Sequence, residues 1–367
     1  MEFMTESFEV YREIDKKLMQ ASKYLMKIYY YLQPFNVGEE KKLFLQNKND
    51  NPVFSYYPLD YFPEEISESL KSIEFPNDVI GDFLRQKRDE LLLRNEIISF
   101  RGNSDIVIAK SSELNGIPSE ELVSYAETVL KDKVNLPKNL PLKSEKRVKI
   151  ITSEEMKNKF NEELKKYGLN DWEAQFTEKS IIEVNPEMKR VFVPRKRFFS
   201  ESESSRLVVH EIGVHVIRSV NGYNQSLKIF ALGLPNYLPT EEGLALHYES
   251  EVFNEDEDNF KKAALVVAVD SLVKKMDFKS CFAKLKDYGF GDEDAWSICL
   301  RVYRGGGYVK DHLYLQGFLE VNEFIKKGGD AKKLFIGKIG INDLPLVDKM
   351  VGAGILNEAK IIPSFIK

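Results

Sequence analysis

Apolar side chains recur every three or four positions through most of the first 135 residues. Over residues 6–33, and again over about 78–96, this spacing places them on one face of a helix. The stretch PSEELVSYAETVLKDK opens like a helix N-terminus and keeps the same period. Between the first two segments, QNKNDNPVFSYYPLDYFP is rich in Asn, Asp and Pro, which predicts a loop. The pattern therefore predicts a mainly helical N-terminal region, residues 1–135.

The pattern changes after a proline-rich stretch, VNLPKNLPLKSEKR (134–147), which predicts a linker because each proline disfavours helix in the residue before it. RVKIITS then predicts a strand, SEEMKNKFNEELKKYG a capped helix ending at Gly168, and SIIEVNPEMKRVFVPRK two strands. A further helix follows directly. We expect an α+β fold, mostly helical, with a small mixed β-sheet over a zincin-like active-site helix. Residues 136–367 form the second predicted region, a catalytic one resembling a zinc metallopeptidase.

The active-site helix has recognisable ends. Ser200 and Glu203 form the S-x-x-E signature of a helix N-terminus, and Asn221-Gly222 supplies a stop signal. The segment between them, SSRLVVHEIGVHVIRSV, is apolar on more than one side, which predicts a buried helix. Polar side chains buried there without partners would cost several kcal/mol. We therefore expect the histidines of this helix to be bound to an ion or hydrogen-bonded.

The motif HEIGVH, residues 210–215, places two histidines five positions apart. In a regular α-helix, residues five apart point about 140° away from each other and cannot bind the same ion. A π-helical turn or a local break returns them to one face, and Gly213 reduces the strain of either. We predict that residues 210–215 depart from α geometry, by a π-bulge or a kink, so that His210 and His215 meet one metal ion. Two hydrogen-bonded core histidines are the alternative.

A third ligand is available in YLPTEEGLALHYES, where Glu241 and Glu242 fall in the first turn of another helix. They could simply complement the helix dipole. Alternatively, one of them completes a His, His, Glu set, the combination of a catalytic zinc site that leaves a position open for water. The residues by themselves leave the choice between the two glutamates open.

Composition narrows the class of protein. The chain has 367 residues, 43% of them hydrophobic and 30% charged, with a net charge of −5. These values are typical of a globular enzyme and give no indication of nucleic-acid binding. The N-terminus does not read as a secretory signal, and we expect no membrane span or membrane partner. Two cysteines, Cys281 and Cys299, are too few for a disulfide framework, so we expect a reduced, cytoplasmic protein.

Three blocks together resemble a known family. HEIGVHVIRSVNGYNQ, PTEEGLA and RVYRGGGYVKDHLYLQG, in this order, are similar to the QEGLA-motif proteins. These include bacterial proteins labelled flavohaemoglobin-expression modulating and, in animals, the microtubule-associated tyrosine carboxypeptidases. The resemblance runs from about residue 52 to 317. Glu241 stands where the family name has Gln.

The resemblance implies a ligand set and an activity. Mapped onto this sequence, the family's zinc ligands fall on His210, His215 and Glu242, with one zinc ion per chain, and its catalytic glutamate falls on Glu211. It implies a metallo-carboxypeptidase that removes a C-terminal residue, tyrosine by type, from a protein or peptide. Tubulin is expected as the substrate only if the host or target is eukaryotic.

A carboxypeptidase must also bind the terminal carboxylate of its substrate, which a fixed cation does best. Arg304 and Lys310, beside the triple glycine of the third block, are our candidates for substrate binding. The alternative is that the glycines form a turn and that Lys310 and Asp311 form a surface pair.

Two other functions remain open at this stage. A zinc-stabilised regulatory or binding protein could keep the ligands without hydrolysing anything. Glu211 favours an enzyme, because a purely structural site has no need of a general base beside its ligand. An endopeptidase or aminopeptidase on the same core would need no carboxylate clamp, so amidated and free C-terminal peptides would distinguish these activities.

Overall fold

The computed structural model describes residues 2–134, 149–179, 181–253 and 258–366. Most of these residues are helical and a minority form short strands, in agreement with the predicted α+β class. The predicted linker at 134–147 lies outside the described residues apart from Val134. None of the described helices combines the length and the apolar character needed to cross a bilayer.

The helices follow one another along the chain with short connections. In order they are α1 (Glu2–Leu25), α2 (Ile28–Leu32), α3 (Val37–Leu45), α4 (Pro63–Lys71), α5 (Val79–Ser99), α6 (Ser104–Asn115), α7 (Glu120–Val134), α8 (Ser153–Lys166), α9 (Glu201–Leu207), α10 (Ile217–Tyr223), α11 (Ile229–Leu232), α12 (Leu238–Phe253), α13 (Asp258–Val273), α14 (Phe278–Asp287), α15 (Asp292–Tyr303), α16 (Leu313–Lys326) and α17 (Leu344–Gly352). A π-helix, Val208–Val216, joins α9 to α10, and 3-10 turns cover Arg304–Gly306, Ala331–Phe335 and Ile341–Asp343.

The strands form two small sheets among the described residues, where a single mixed sheet was predicted. They are β1 (Ile150–Thr152), β2 (Glu173–Thr177), β3 (Glu183–Asn185), β4 (Arg190–Pro194) and β5 (Phe198–Ser200). β1 pairs antiparallel with β5, while the order β2-β4-β3 combines a parallel and an antiparallel pair. The predicted strands correspond to β1, β3 and β4. β2 and β5 were not predicted. β5 has only three residues, whereas β2, with the sequence EAQFT, does alternate polar and apolar side chains and could have been found from that pattern.

The chain divides into two compact units, and the second predicted region is not continuous. One unit comprises Met1–Leu136 and Glu257–Gln316, the other Pro137–Asp256 and Gly317–Lys367. The first boundary lies next to the predicted one at 135/136. Residues 257–316 join the first unit because α13 is apolar on all sides, through AALVVAV, and packs against α7 and α15. A helix that is apolar on all sides must pack against several other elements, and the helices of the first unit provide these contacts.

The second unit buries one side of the π-helix in its hydrophobic core. Ile212 and Val216 are fully buried and share this core with α8 and the strands. The other members with the same environment are Ile151, Met156, Phe160, Leu164, Leu169, Trp172, Ala174, Val191, Val193 and Phe199. Burying side chains of this size contributes about 1.5–3 kcal/mol each, so the core fixes the orientation of the π-helix.

The two ends of this helical segment differ in part from the prediction. The Ser200 hydroxyl accepts a hydrogen bond from the Glu203 N–H at 3.0 Å, as a helix cap should, but the Glu203 carboxylate pairs with Arg197 at 2.6 Å. The helix ends at Tyr223, one residue after the Asn221-Gly222 pair predicted as its stop. Asn221 is fully buried there, and its amide donates to the carbonyls of Phe335 and Ile361.

The predicted helix after the first strand corresponds to α8. Its cap, Thr152, exchanges hydrogen bonds with Glu155 in both directions, forming a complete capping box. The helix ends at Lys166, and Gly168 follows it with φ of 71°, as expected for a residue that closes a helix.

Helices α12 and α16 approach each other at two glycines of the second unit. A Cβ added to Gly243 would lie 2.2 Å from the Gly317 carbonyl oxygen, and one added to Gly317 would lie 1.9 Å from the Pro239 carbonyl oxygen. Only glycine leaves room for this backbone contact. Gly243 directly follows Glu242, so the contact fixes the helix that carries the predicted third ligand.

We therefore expect G317A to destabilise the protein, because the obstructing atom is backbone and cannot rotate away. The expected loss is about 3 kcal/mol, at the upper end of overpacking costs. Urea unfolding followed by circular dichroism measures it. The matched control is G352A in α17, where an added Cβ meets nothing within 4 Å. Its unfolding midpoint should stay the same or rise slightly, and equal midpoints for G317A and G352A would contradict the close contact.

Candidate metal centre

The π-helix brings the two histidines of HEIGVH together. The rings of His210 and His215 lie at nearly right angles with their centroids 4.7 Å apart. Glu242 of α12 joins them, with Oε2 3.8 Å from His210 Nε2. Potential ligand atoms of these three side chains all lie within 4.8 Å of one another. The segment predicted to depart from α geometry is π-helical, and the three predicted ligands form one cluster.

Each histidine is held by a carboxylate on its far nitrogen. His210 Nδ1 lies 2.6 Å from Glu249 Oε1, and His215 Nδ1 lies 2.8 Å from Glu241 Oε1. A carboxylate accepts hydrogen bonds, so Nδ1 of each ring is the donor to the carboxylate and Nε2 is the nitrogen on the opposite side of the ring. Both rings therefore present Nε2 as the atom able to bind a metal.

Glu241 is buried between cations. Its Oε2 accepts a hydrogen bond from the Arg218 guanidinium, and Lys338 Nζ lies 3.0 Å from its Oε1. Burial raises the pKa of Glu241, but Lys338, Arg218 and His215 outweigh burial and hold the pKa well below its usual range. The glutamate is thus a permanent anion behind His215.

Arg218 connects Glu241 to the backbone of the segment that follows α16. It is fully buried, and besides Glu241 its guanidinium donates to three carbonyl oxygens of the segment that follows α16. The acceptors and distances are Leu334 at 2.9 Å, Gly337 at 3.1 Å and Ile339 at 2.5 Å. A planar guanidinium can serve all these acceptors at once because its donors diverge in a fixed fork.

The surroundings of His210 are strongly negative. Burial lowers the pKa of His210, but Glu249, Glu211 and Glu242 more than offset this and raise it to about 10. On its other oxygen, Glu249 lies 3.9 Å from the Arg206 guanidinium. The electrostatic field that attracts a proton to this position attracts a divalent cation for the same reason.

The residues present fit a zinc ion. Two imidazole nitrogens and one carboxylate oxygen are the donor set of a catalytic zinc site, and carboxylates behind both histidines are the usual support for such ligands. Zinc binds its ligands at about 2.0–2.2 Å, so side-chain rotation must draw the three ligand atoms slightly closer. His210, His215 and Glu242 would hold the ion.

A profile of the microtubule-associated tyrosine carboxypeptidases matches residues 41–367. The chain belongs to this family. The family resemblance seen in the three sequence blocks is thereby confirmed.

Among individual relatives of this family member, microtubule-associated tyrosine carboxypeptidase 1 of Rattus norvegicus is 29% identical over 170 residues. The match covers 43% of this chain and 35% of the rat protein, about a third of that relative's length. A solved structure from Colwellia psychrerythraea, described as a lipoprotein, has a TM-score of 0.44 at 10% identity. It covers 79% of this chain and 66% of that one.

Within this family member, Glu211 follows His210 on the π-helix and is half-buried. Its negative charge is among the causes that raise the pKa of His210. A neighbouring carboxylate that does not itself belong to the ligand set is the arrangement that a general base requires.

The predicted substrate-binding residues lie in the first unit, whereas the ligand cluster lies in the second. The Arg304 guanidinium stacks over the Tyr29 ring at 4.9 Å. Lys310 is buried, and its ammonium donates to the Tyr314 hydroxyl at 3.0 Å. Asp311 is also buried and pairs with Arg301 at 2.8 Å, so the alternative of a Lys310–Asp311 pair at the surface is wrong.

Sequence reasoning missed the residues behind the ligands. Glu249 lies two helical turns after Glu242 on α12, so helical periodicity could have pointed to it. Arg218 is a lone charge in an apolar helix, which signals a buried partner. Lys338 had no such signal, because only tertiary structure brings it to Glu241.

We expect R218M to lower the free energy of unfolding by about 3–5 kcal/mol. The variant removes the guanidinium that pairs with the buried Glu241 carboxylate, and a buried charge that loses its partner is strongly destabilising. Equilibrium denaturation of the full chain measures this loss. R195M is the control: Arg195 is 54% exposed and pairs with Glu178 at 2.9 Å, so its removal should cost less than about 1 kcal/mol. Equal losses in the two variants would show that the buried network contributes little.

Proposed function

We propose that this protein is a zinc-dependent carboxypeptidase that removes a C-terminal residue, tyrosine by type, from a protein or peptide. The observation that carries the proposal is the cluster of His210, His215 and Glu242 with Glu211 beside it, in a member of a tyrosine carboxypeptidase family. A purely structural metal site would have no use for that additional carboxylate.

The metal supplies a defined part of the chemistry: bound zinc lowers the pKa of a water ligand to about 7 and polarises the substrate carbonyl. Glu211 accepts a proton from the water that attacks the carbonyl carbon. It then donates that proton to the amine nitrogen as the carbon–nitrogen bond breaks. The products are a shortened chain with a new carboxylate and one free amino acid.

The carboxylates behind the histidines have a different task. Glu241 and Glu249 keep both Nε2 atoms directed to the metal, so the ligands do not have to be ordered when the ion binds. Glu211 is half-buried, so its carboxylate keeps access to water.

The central test separates metal binding from catalysis. E211Q should retain zinc and lose about 10²- to 10⁴-fold in cleavage rate, because the amide cannot accept the proton. H210A and E242A should lose the zinc itself. Elemental analysis reports the metal, and mass spectrometry of a peptide library with varied C-terminal residues reports the cleavage.

H247Q serves as the histidine control, because His247 lies outside the ligand cluster and Nδ1 contacts Asn322 Oδ1 at 2.5 Å. It should keep the zinc. Cleavage by E211Q at the wild-type rate would refute the role of Glu211 as general base.

Zinc binding without any cleavage by the wild type would favour the alternative, a zinc-stabilised regulatory or binding protein that does not hydrolyse. Purified microtubules among the substrates test whether tubulin is cleaved.

For recognition of the terminal carboxylate we propose Arg304. Lys310, the other candidate from the sequence, is 2% exposed and donates to the Tyr314 hydroxyl, so we do not propose that it contacts the substrate. Arg304 carries a fixed positive charge, and the Tyr29 ring beneath it restricts its movement. A charge-assisted hydrogen bond contributes about 1.5–3 kcal/mol, which corresponds to about tenfold or more in affinity.

R304M should therefore raise KM about tenfold or more for peptides with a free C-terminus and leave kcat nearly unchanged. Amidated peptides should show no such dependence on Arg304. R12M is the control in the same unit, because Arg12 is 56% exposed, pairs with Glu9 and, like Arg304, lies over an aromatic ring, that of Phe8. Equal cleavage of free and amidated peptides by the wild type would instead indicate an endopeptidase or aminopeptidase.

A further inference from the structure

Two adjacent glutamates of α12 face different groups. Glu242 belongs to the ligand cluster, whereas Glu241 binds the opposite side of one ligand, His215, through Nδ1. Glu241 is 2% exposed and contacts Arg218 through one oxygen and both His215 and Lys338 through the other. All of these residues belong to the second unit.

The charges in this group do not cancel. Glu241 contributes one negative charge, and Arg218 and Lys338 contribute two positive charges beside it. The Lys338 side chain is only 13% exposed, so water screens it weakly. Without the Glu241 carboxylate, both cations would act on His215 and on any cation that His215 binds.

The position of Lys338 follows from the fold. It lies between Gly337 and Ile339, whose carbonyls are both fixed by the buried Arg218 guanidinium. The ammonium group is therefore held near Glu241 by the backbone around it. Its charge is a constant feature of the environment behind His215.

We propose that Glu241 is a positioning residue for metal binding, which orients His215 and shields the bound ion from the charge of Lys338. The inference rests on the metal site of the proposed function. It assigns to Glu241 an effect on metal affinity that a simple partner of Arg218 would not have.

The two possible roles of Glu241, as a partner of Arg218 alone or as a positioning residue for the metal, predict different metal affinities in the variants. If Glu241 only anchors Arg218, its replacement lowers the stability of the metal-free protein, and removing Lys338 does not change metal affinity. If Glu241 also positions and shields, metal affinity depends on both residues, and the effects of changing them are not additive.

The experiment measures zinc affinity of the full chain by competition with a chromogenic chelator. E241Q should bind zinc about 10- to 100-fold more weakly, as expected for loss of a group that supports a ligand. K338M, which removes a positive charge near the ion, should bind at least about threefold more tightly. The double variant E241Q/K338M should recover at least about tenfold relative to E241Q, a larger gain than K338M gives when Glu241 is present, because the carboxylate no longer offsets the charge of Lys338.

K327M is the matched control, because it removes the same charge at a side chain that is 74% exposed in the same unit. Its affinity should equal that of the wild type. The visible spectrum of the cobalt-loaded protein should change in E241Q and remain unchanged in K327M. Thermal unfolding of the metal-free variants measures stability separately from affinity.

Wild-type zinc affinity in E241Q, or identical affinities in K338M and K327M, would overturn the inference while leaving the metal site intact. K338M keeps the test decisive if E241Q does not fold, because Arg218 continues to pair with Glu241 in that variant. Failure of the wild type to bind zinc at all would instead overturn the proposed function.

Discussion

The structure of the centre depends on one constraint, the five-residue spacing of His210 and His215. On an α-helix these side chains would point apart, so the segment between them adopts π geometry over Val208–Val216. The hydrophobic core secures this geometry from behind through Ile212 and Val216. The buried apolar residues of this segment therefore stabilise the backbone geometry that brings the two histidines together.

Around the histidines, charge is arranged in layers. The acidic side chains next to the rings attract a cation, and basic side chains lie behind those acids. The two sides differ in rigidity: Glu241 is buried between Arg218 and Lys338, while Glu249 has one cation at 3.9 Å and some exposure to solvent. This arrangement gives His215 the more strongly fixed environment of the two ligands.

The helix that supplies the acids is fixed by backbone contact. Gly243 and Gly317 allow α12 and α16 to approach more closely than side chains would permit, and Glu242 immediately precedes that contact. Arg218 adds a second restraint, since it connects α10 to α12 and to the segment at 334–339. Ligands, supporting carboxylates and cations thus belong to one compact unit.

The sequence by itself determined the features that depend on neighbours within a few residues. Caps and periodicity located α5, α7 and α8, and the spacing of HEIGVH required a departure from α geometry at the segment that is π-helical. Family resemblance then selected Glu242. Tertiary structure alone decided that residues 257–316 join the N-terminal helices, that the strands form two sheets, and that Lys338 reaches Glu241. Local hydrogen bonding and side-chain spacing are encoded in short stretches, whereas contacts between residues about a hundred positions apart depend on how the complete core packs.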